Sequence, residues 1–188
     1  RKPVSFIEDC TVPLEHLDEY GARLEEVFRR HGTSGTWYAH ASVGTLHVRP
    51  IVNLKLEAGA RAMRAIAEEA FEIVREYKGS HSGEHGDGLV RSEFHEAMFG
   101  ARMTDTFAEV KALFDPANMM NPGKIVDSPP MTENLRIDPT YRTLELKTGF
   151  SYVQQGGHTG AIEACNGQGA CLKVAGGTMC PSYMATRD

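Results

Sequence analysis

The sequence predicts an α+β fold: an antiparallel sheet covered by helices, followed by an extended arm and a cysteine-rich segment. Two observations carry that expectation. The order strand, helix, strands, helix, loop, helices is that of a mixed layer. In addition, apolar residues recur at helical period in two long runs, while a stretch between them is dense in aromatic and β-branched residues.

VSFIEDC, residues 4 to 10, is apolar and β-branched enough for a strand. From Leu14 the apolar residues Leu17, Tyr20, Leu24, Val27 and Phe28 fit a helix that ends near His31-Gly32, with Arg29 and Arg30 in its last turn. TWYAHASVGTLHVRPIVNL reads as two strands, connected around Ser42 to Thr45 and broken at Gly44. The clearest helix follows over residues 58 to 78, with Met63, Ile66, Ala67, Ala70, Val74 and Tyr77 on one face and Gly79 as its cap. Beyond a glycine-rich stretch come a short helical run from Ser92 to Phe99 and another from Thr104 to Phe114. FDPANMMNPGKIV is a turn-rich exit whose prolines end the helical region. From Asp127 periodicity disappears. The expected division is residues 1–127, a linker or arm at 128–160, and a cysteine-rich segment at 161–188.

At 188 residues, with 41% hydrophobic and 24% charged, the chain can bury a core as one domain with an appendage. A formal net charge of -5 without any basic run argues against nucleic acid as the main partner. No apolar stretch is long enough to cross a bilayer, so no transmembrane segment is expected. The chain opens RKPVSF and stops at TRD just after a motif, which reads as a segment of a longer polypeptide. Of four cysteines, Cys10 stands alone while Cys165, Cys171 and Cys180 crowd the last quarter. Thiols clustered near glycines resemble metal or cluster ligands in a reducing compartment more than a disulfide framework. The expected location is cytoplasmic, or peripheral at the inner membrane face.

HSGEHGDGLVRS, residues 81 to 92, sets Glu84 beside His85 and fences them with Gly83, Gly86 and Gly88. Glycines there weaken any regular element and leave the backbone free to be irregular. His40 and His47 lie seven apart, and a turn at Gly44 can bring their rings opposite each other on adjacent strands. Two imidazoles and a carboxylate form a common ligand set for zinc, manganese or ferrous iron, with Glu84 as the best third ligand. Chance pairing is the competing account, since the chain holds eight histidines. His16, His31, His81, His95 and His158 read as structural or solvent-facing. Arg49 shares the face of His47 and suits bidentate grip of a carboxylate, although a surface arginine at a strand edge fits equally.

HASVGTLHVRP, then SGEHGDG, then FDPANMMNPGKIV, in that order, resemble the C-terminal part of FAD-linked oxidases of the vanillyl-alcohol-oxidase type. The nearest branch is similar to the D-lactate, glycolate and D-2-hydroxyglutarate dehydrogenases. The resemblance implies that this segment is part of the substrate cap plus the return into a flavin domain that lies N-terminal to it. It implies His40, His47 and Glu84 as metal ligands holding a 2-hydroxy acid, and His85 as the residue taking the hydroxyl proton while a hydride passes from C2 to the flavin. Asn121 in NPGK falls where relatives approach the FAD. Many relatives carry Gly-Asp-Gly-Asn between the histidines and an asparagine two positions after the second. Here Ser-Val-Gly-Thr and Arg49 stand there, so the second functional group of the substrate is expected to be read differently.

CNGQGACLKVAGGTMCP places Cys165, Cys171 and Cys180 at C-x5-C-x8-C-P. It resembles the start of the iron–sulfur region fused behind FAD-linked oxidases, which implies a 4Fe-4S cluster whose fourth ligand lies elsewhere. Three free thiols and a structural zinc remain open alternatives. The expected partners are a small 2-hydroxy acid and an electron acceptor, a quinone or a redox protein. A non-catalytic metal- or cluster-binding redox module supporting a partner subunit is the competing class. A metal hydrolase with His85 as base is a third.

Overall fold

The computed structural model describes residues 2–144, 146–165, 169–173 and 185. The chain divides into two compact units, residues 1–141 and 142–188. In the first, β4 (Thr45–Val52) is the spine of an antiparallel sheet. β3 (Gly35–His40) lies along one edge of it, while the short strands β1 (Lys2–Pro3) and β2 (Cys10–Thr11) pair with it antiparallel at Ile51–Val52 and Thr45–Leu46.

Two long helices cover one face of this sheet. α1 (Leu17–Arg30) buries Tyr20, Leu24, Val27 and Phe28, and α2 (Glu57–Glu76) buries Met63, Ile66, Ala67, Ala70 and Val74 among others. Leu46, Val48 and Val52 of β4 join the same core. The positions are those of the apolar period, so burial of one face drives both helices. Each ends in a Schellman turn. After α1, Gly32 (φ 64) donates to Arg29 O and Thr33 to Phe28 O; after α2, Lys78 (φ 54) donates to Arg75 O and Gly79 to Val74 O. The left-handed residue closing α2 is therefore Lys78 and not Gly79.

The expected strand over residues 4–10 is interrupted. Pairing holds only at its two ends, because Phe6 and Ile7 turn into the core at 1% and 0% exposure and Asp9 takes φ 86. A β-branched composition fits either arrangement, and core burial decides it. The other helical runs are shorter or longer than their pattern: α3 (Gly88–Arg91), a 3-10 turn at Ser92–Phe94, α4 (His95–Phe99) and α5 (Ala101–Phe114). In the second unit the described residues form helical turns, with α6 (His158–Glu163) between 3-10 turns at Val153–Gln155 and Ala170–Leu172.

Gly44 (φ 73) ends a 3-10 turn between β3 and β4, and a Cβ there would meet Val12 O at 2.0 Å. Gly44→Ala is expected to destabilise by about 2–3 kcal/mol in denaturant titration, through backbone strain and that clash. Across the helix pair, Glu69 accepts from Arg30 and contacts His31 Nε2 at 2.6 Å. Burial opposes its ionisation, but the His31 and Arg30 contacts outweigh this and hold its carboxyl below the usual range. A depressed folded pKa stabilises above the unfolded value, near ~4.3, and the gain is lost as pH falls through the folded value. Glu69→Gln should therefore cost about 0.5 kcal/mol at neutral pH and nothing in strong acid, read from Tm against pH.

Candidate metal-binding and catalytic site

The chain leaving α2 returns alongside β2, where Thr11 and Ser80 exchange both backbone hydrogen bonds at 2.8 and 2.9 Å. That pairing delivers residues 81–88 next to Asp9. Gly83 N–H donates to Asp9 O at 2.7 Å, and a Cβ on Gly83 would lie 2.2 Å from Thr11 Oγ1. The fully buried Asp9 carboxylate accepts from Glu84 N at 3.0 Å, from His85 N at 2.8 Å and from Ser82 Oγ at 3.3 Å. Gly86 and Gly88, with φ 78 and 56, complete the turn out of this cradle. An irregular backbone thus lets two adjacent residues serve one site.

On the sheet, Tyr38 pairs with His47 and His40 with Thr45. His40 and His47 are therefore diagonal neighbours on one face, not directly opposite as the turn at Gly44 had suggested. Their rings meet edge to face at 5.0 Å. His40 Nε2 and His47 Nε2 lie 3.1 and 3.2 Å from the same atom, Glu84 Oε1. His85 stacks on His47 at 4.9 Å and brings its Nε2 to 3.5 Å from that oxygen. His47 is 1% exposed, and neither of its ring nitrogens makes a hydrogen bond of acceptable geometry among the described residues. A buried imidazole left so costs about 1–3 kcal/mol. Nitrogen lone pairs and a carboxylate converging on one point, with that orphaned ring, fit a divalent cation. Asp9 also lies within reach of His47, Glu84 and His85, but its oxygens are engaged by the loop amides. His40, Glu84 and His85 are about half exposed, so the site is open on one side.

Arg49 falls on the face of His47, as its spacing required. Its guanidinium donates to Glu8 from Nε at 2.6 Å and from a terminal nitrogen at 3.2 Å, and to Tyr38 Oη at 3.0 Å. Glu8 also faces His85 Nδ1 at 3.6 Å. Burial opposes ionisation of Glu8, but Arg49 and Ser5 outweigh it and hold its carboxyl below the usual range. Glu8 and Tyr38 were not singled out from the sequence. Glu8 lies in a stretch that reads as a strand, and only the fold brings it to Arg49.

Of the histidines read as structural or solvent-facing, His81 and His95 are buried and meet Asp87. His16 stacks on Tyr77, His31 meets Glu69, and His158 lies against Tyr152. Asn121 (φ 47) is exposed, its Oδ1 accepting from Lys124 Nζ at 3.3 Å. Cys165 and Cys171 are exposed in the second unit, and Cys180 lies outside the described residues. Cys10 is buried, which pushes its thiol up to about 12.

Residues 1–125 match the family described as FAD linked oxidases, C-terminal domain. Among curated proteins, a D-2-hydroxyglutarate dehydrogenase of Escherichia coli (strain K12) is 36% identical, with 100% of this chain and 18% of that protein covered. A D-lactate dehydrogenase of Archaeoglobus fulgidus is 32% identical over 67% of this chain and 28% of its own length. A glycolate oxidase subunit of Bacillus subtilis is 28% identical over 66% of the chain and 26% of its own length. The chain thus spans less than a fifth of the dehydrogenase it matches from end to end.

Asp9→Ala should release the loop, costing about 3 kcal/mol for the lost charge-assisted hydrogen bonds. Hydrogen exchange at the Glu84 and His85 amides should accelerate well before global unfolding; unchanged exchange there would exclude Asp9 as the anchor.

Proposed function

The chain belongs to the C-terminal domain family of the FAD-linked oxidases, and from that membership we propose that it is part of a flavin-dependent dehydrogenase of 2-hydroxy acids. The carrying observation is the convergence of His40, His47 and His85 on one Glu84 oxygen, in a chain whose family names the hydride acceptor. A D-2-hydroxyglutarate dehydrogenase matches the whole of this chain at 36% identity, a D-lactate dehydrogenase 67% of it at 32%, which supports a substrate of the 2-hydroxyglutarate kind.

On this reading His40, His47 and Glu84 hold a divalent ion of zinc, manganese or iron, which supplies positive charge favouring loss of the substrate's hydroxyl proton. His85 receives that proton at Nε2, the nitrogen that faces Glu84, while Nδ1 faces Glu8. Arg49, whose Nε and one terminal nitrogen are held by Glu8 and Tyr38, has its other terminal nitrogen left to donate to a substrate carboxylate. The side chain is already fixed, so little side-chain entropy is lost on binding.

FAD supplies the two-electron acceptor. The described residues offer it an edge and no enclosure: Asn121 lies on an exposed turn, and α5 buries none of its side chains, leaving Leu113 and Phe114 exposed. Such apolar exposure supports further protein packing there, where the flavin lobe would lie. A 4Fe-4S cluster at Cys165, Cys171 and Cys180 would supply a one-electron exit to a quinone or a redox protein. Such a cluster takes four thiolates, and the described residues contribute two, so the rest of the polypeptide must complete it. No helix among the described residues is long and apolar enough to cross a membrane.

The test is anaerobic addition of D-2-hydroxyglutarate and of D-lactate to the full-length polypeptide. Flavin bleaching by either acid is expected, faster with the first; a protein without flavin overturns the reading. His85→Ala should slow flavin reduction by about 100-fold or more while leaving metal content intact. His47→Ala should lower metal content and raise substrate KM together, and full metal retention would remove His47 from the ligand set.

A further inference from the structure

We propose that His81, Asp87 and His95 form a second divalent-metal site, buried behind the loop and separate from the one that His40, His47 and Glu84 line. His81 Nε2 lies 3.0 Å from Asp87 Oδ1, and His95 Nε2 lies 2.9 Å from Asp87 Oδ2. The two nitrogen–oxygen separations approach the edge of a coordination shell built on ~2.1 Å bonds, about 3.0–3.4 Å.

The ring nitrogens argue for an ion rather than a closed hydrogen-bond triad. His95 Nδ1 is 3.2 Å from Ile125 O, and a carbonyl only accepts, so the proton resides on Nδ1. In the neutral ring that leaves the Nε2 lone pair directed towards the carboxylate, the orientation of a metal-bound histidine whose other nitrogen is held by a backbone carbonyl. Neither His81 Nε2, His95 Nε2 nor Asp87 Oδ1 has a hydrogen bond of acceptable geometry among the described residues, although all three are buried. Lone pairs brought this close repel unless a proton or a cation lies between them, and the absence of hydrogen-bond geometry at both Nε2 atoms favours the cation.

The surroundings are aromatic. Phe71 and Phe99 lie against His81, and Phe99 and Phe107 against His95, at ring separations of 5.3–5.9 Å. Arg91 is the nearest cation, its Nε 4.0 Å from Asp87 Oδ1, but its terminal nitrogens donate to Glu8 O and Gly86 O. It braces the loop and leaves the inner side of Asp87 to the imidazoles. Two imidazoles and one carboxylate select a borderline ion, zinc above all. Its effect would be structural, tying the loop to α4 and, through Ile125, to the exit segment.

The experiment uses the full-length polypeptide carrying His40→Ala and His47→Ala, stripped with chelator and titrated with Co(II). We expect one tightly bound cobalt with no thiolate charge-transfer band, lost on adding either Asp87→Asn or His95→Gln. Absence of cobalt from the double variant overturns the proposal. So does a thiolate band, which would assign the ion to the cysteine segment, or retention of cobalt when Asp87 or His95 is changed. Should a variant fail to fold, cobalt-soaked crystals of the unsubstituted protein decide: an anomalous peak between the three side chains supports the site, and its absence at saturation overturns it.

Discussion

The carboxylate of Asp9 is the constraint on which the site depends. It is fully buried and accepts from the amides of Glu84 and His85 and from Ser82 Oγ. Each charge-assisted bond of this kind is worth about 1.5–3 kcal/mol, so the set is enough to fix a loop that lacks regular structure. Asp9 is itself placed by the pairing of β2 with β4, and its φ of 86 turns the backbone just before that pairing begins. Strand register, loop position and the aim of Glu84 and His85 therefore form one chain of cause.

The sheet separates stability from chemistry. Leu46 and Val48 pack with the helices, whereas Thr45, His47 and Arg49 alternate onto the other face beside Tyr38 and His40. The period of two along β4 delivers both functions from adjacent residues. Glu8 adds a coupling between the site's parts, since one carboxylate is bonded to Arg49 and faces His85. On the proposed reading, the group that grips the acid and the group that takes its proton share a single negative neighbour, so disturbing one shifts the field at the other.

Much of this was legible in the residues, for identifiable reasons. α1 and α2 follow from apolar period, because their stability comes from burying one face, and sequence records that face directly. His40, His47 and Glu84 converge as their motifs implied, though diagonally rather than opposite, since register depends on the 3-10 turn at 41–43 that spacing alone does not specify. The strand at 4–10 was overcalled because composition cannot distinguish a paired run from one whose Phe6 and Ile7 dive into the core. The meeting of His81 and His95 at Asp87 was not legible, because the two are fourteen positions apart and only the compact turn between them brings both to one carboxylate.

That turn explains why three glycines fence so few residues. Glu84 and His85 reach towards the sheet, while His81 and Asp87 reach into the aromatic pocket behind it. A regular strand would alternate its side chains strictly, and a helix would rotate them by a fixed angle, so neither could send the middle pair one way and the flanking pair another. Close approach at Gly83 and left-handed backbone at Gly86 and Gly88 break both periodicities. The burial that three side chains would have supplied is forgone there, and Asp9 on one side with Arg91 on the other replaces it with hydrogen bonds to the backbone. Polar anchoring of the loop from both ends is thus the physical condition for placing two clusters of imidazole and carboxylate on opposite sides of a single short segment.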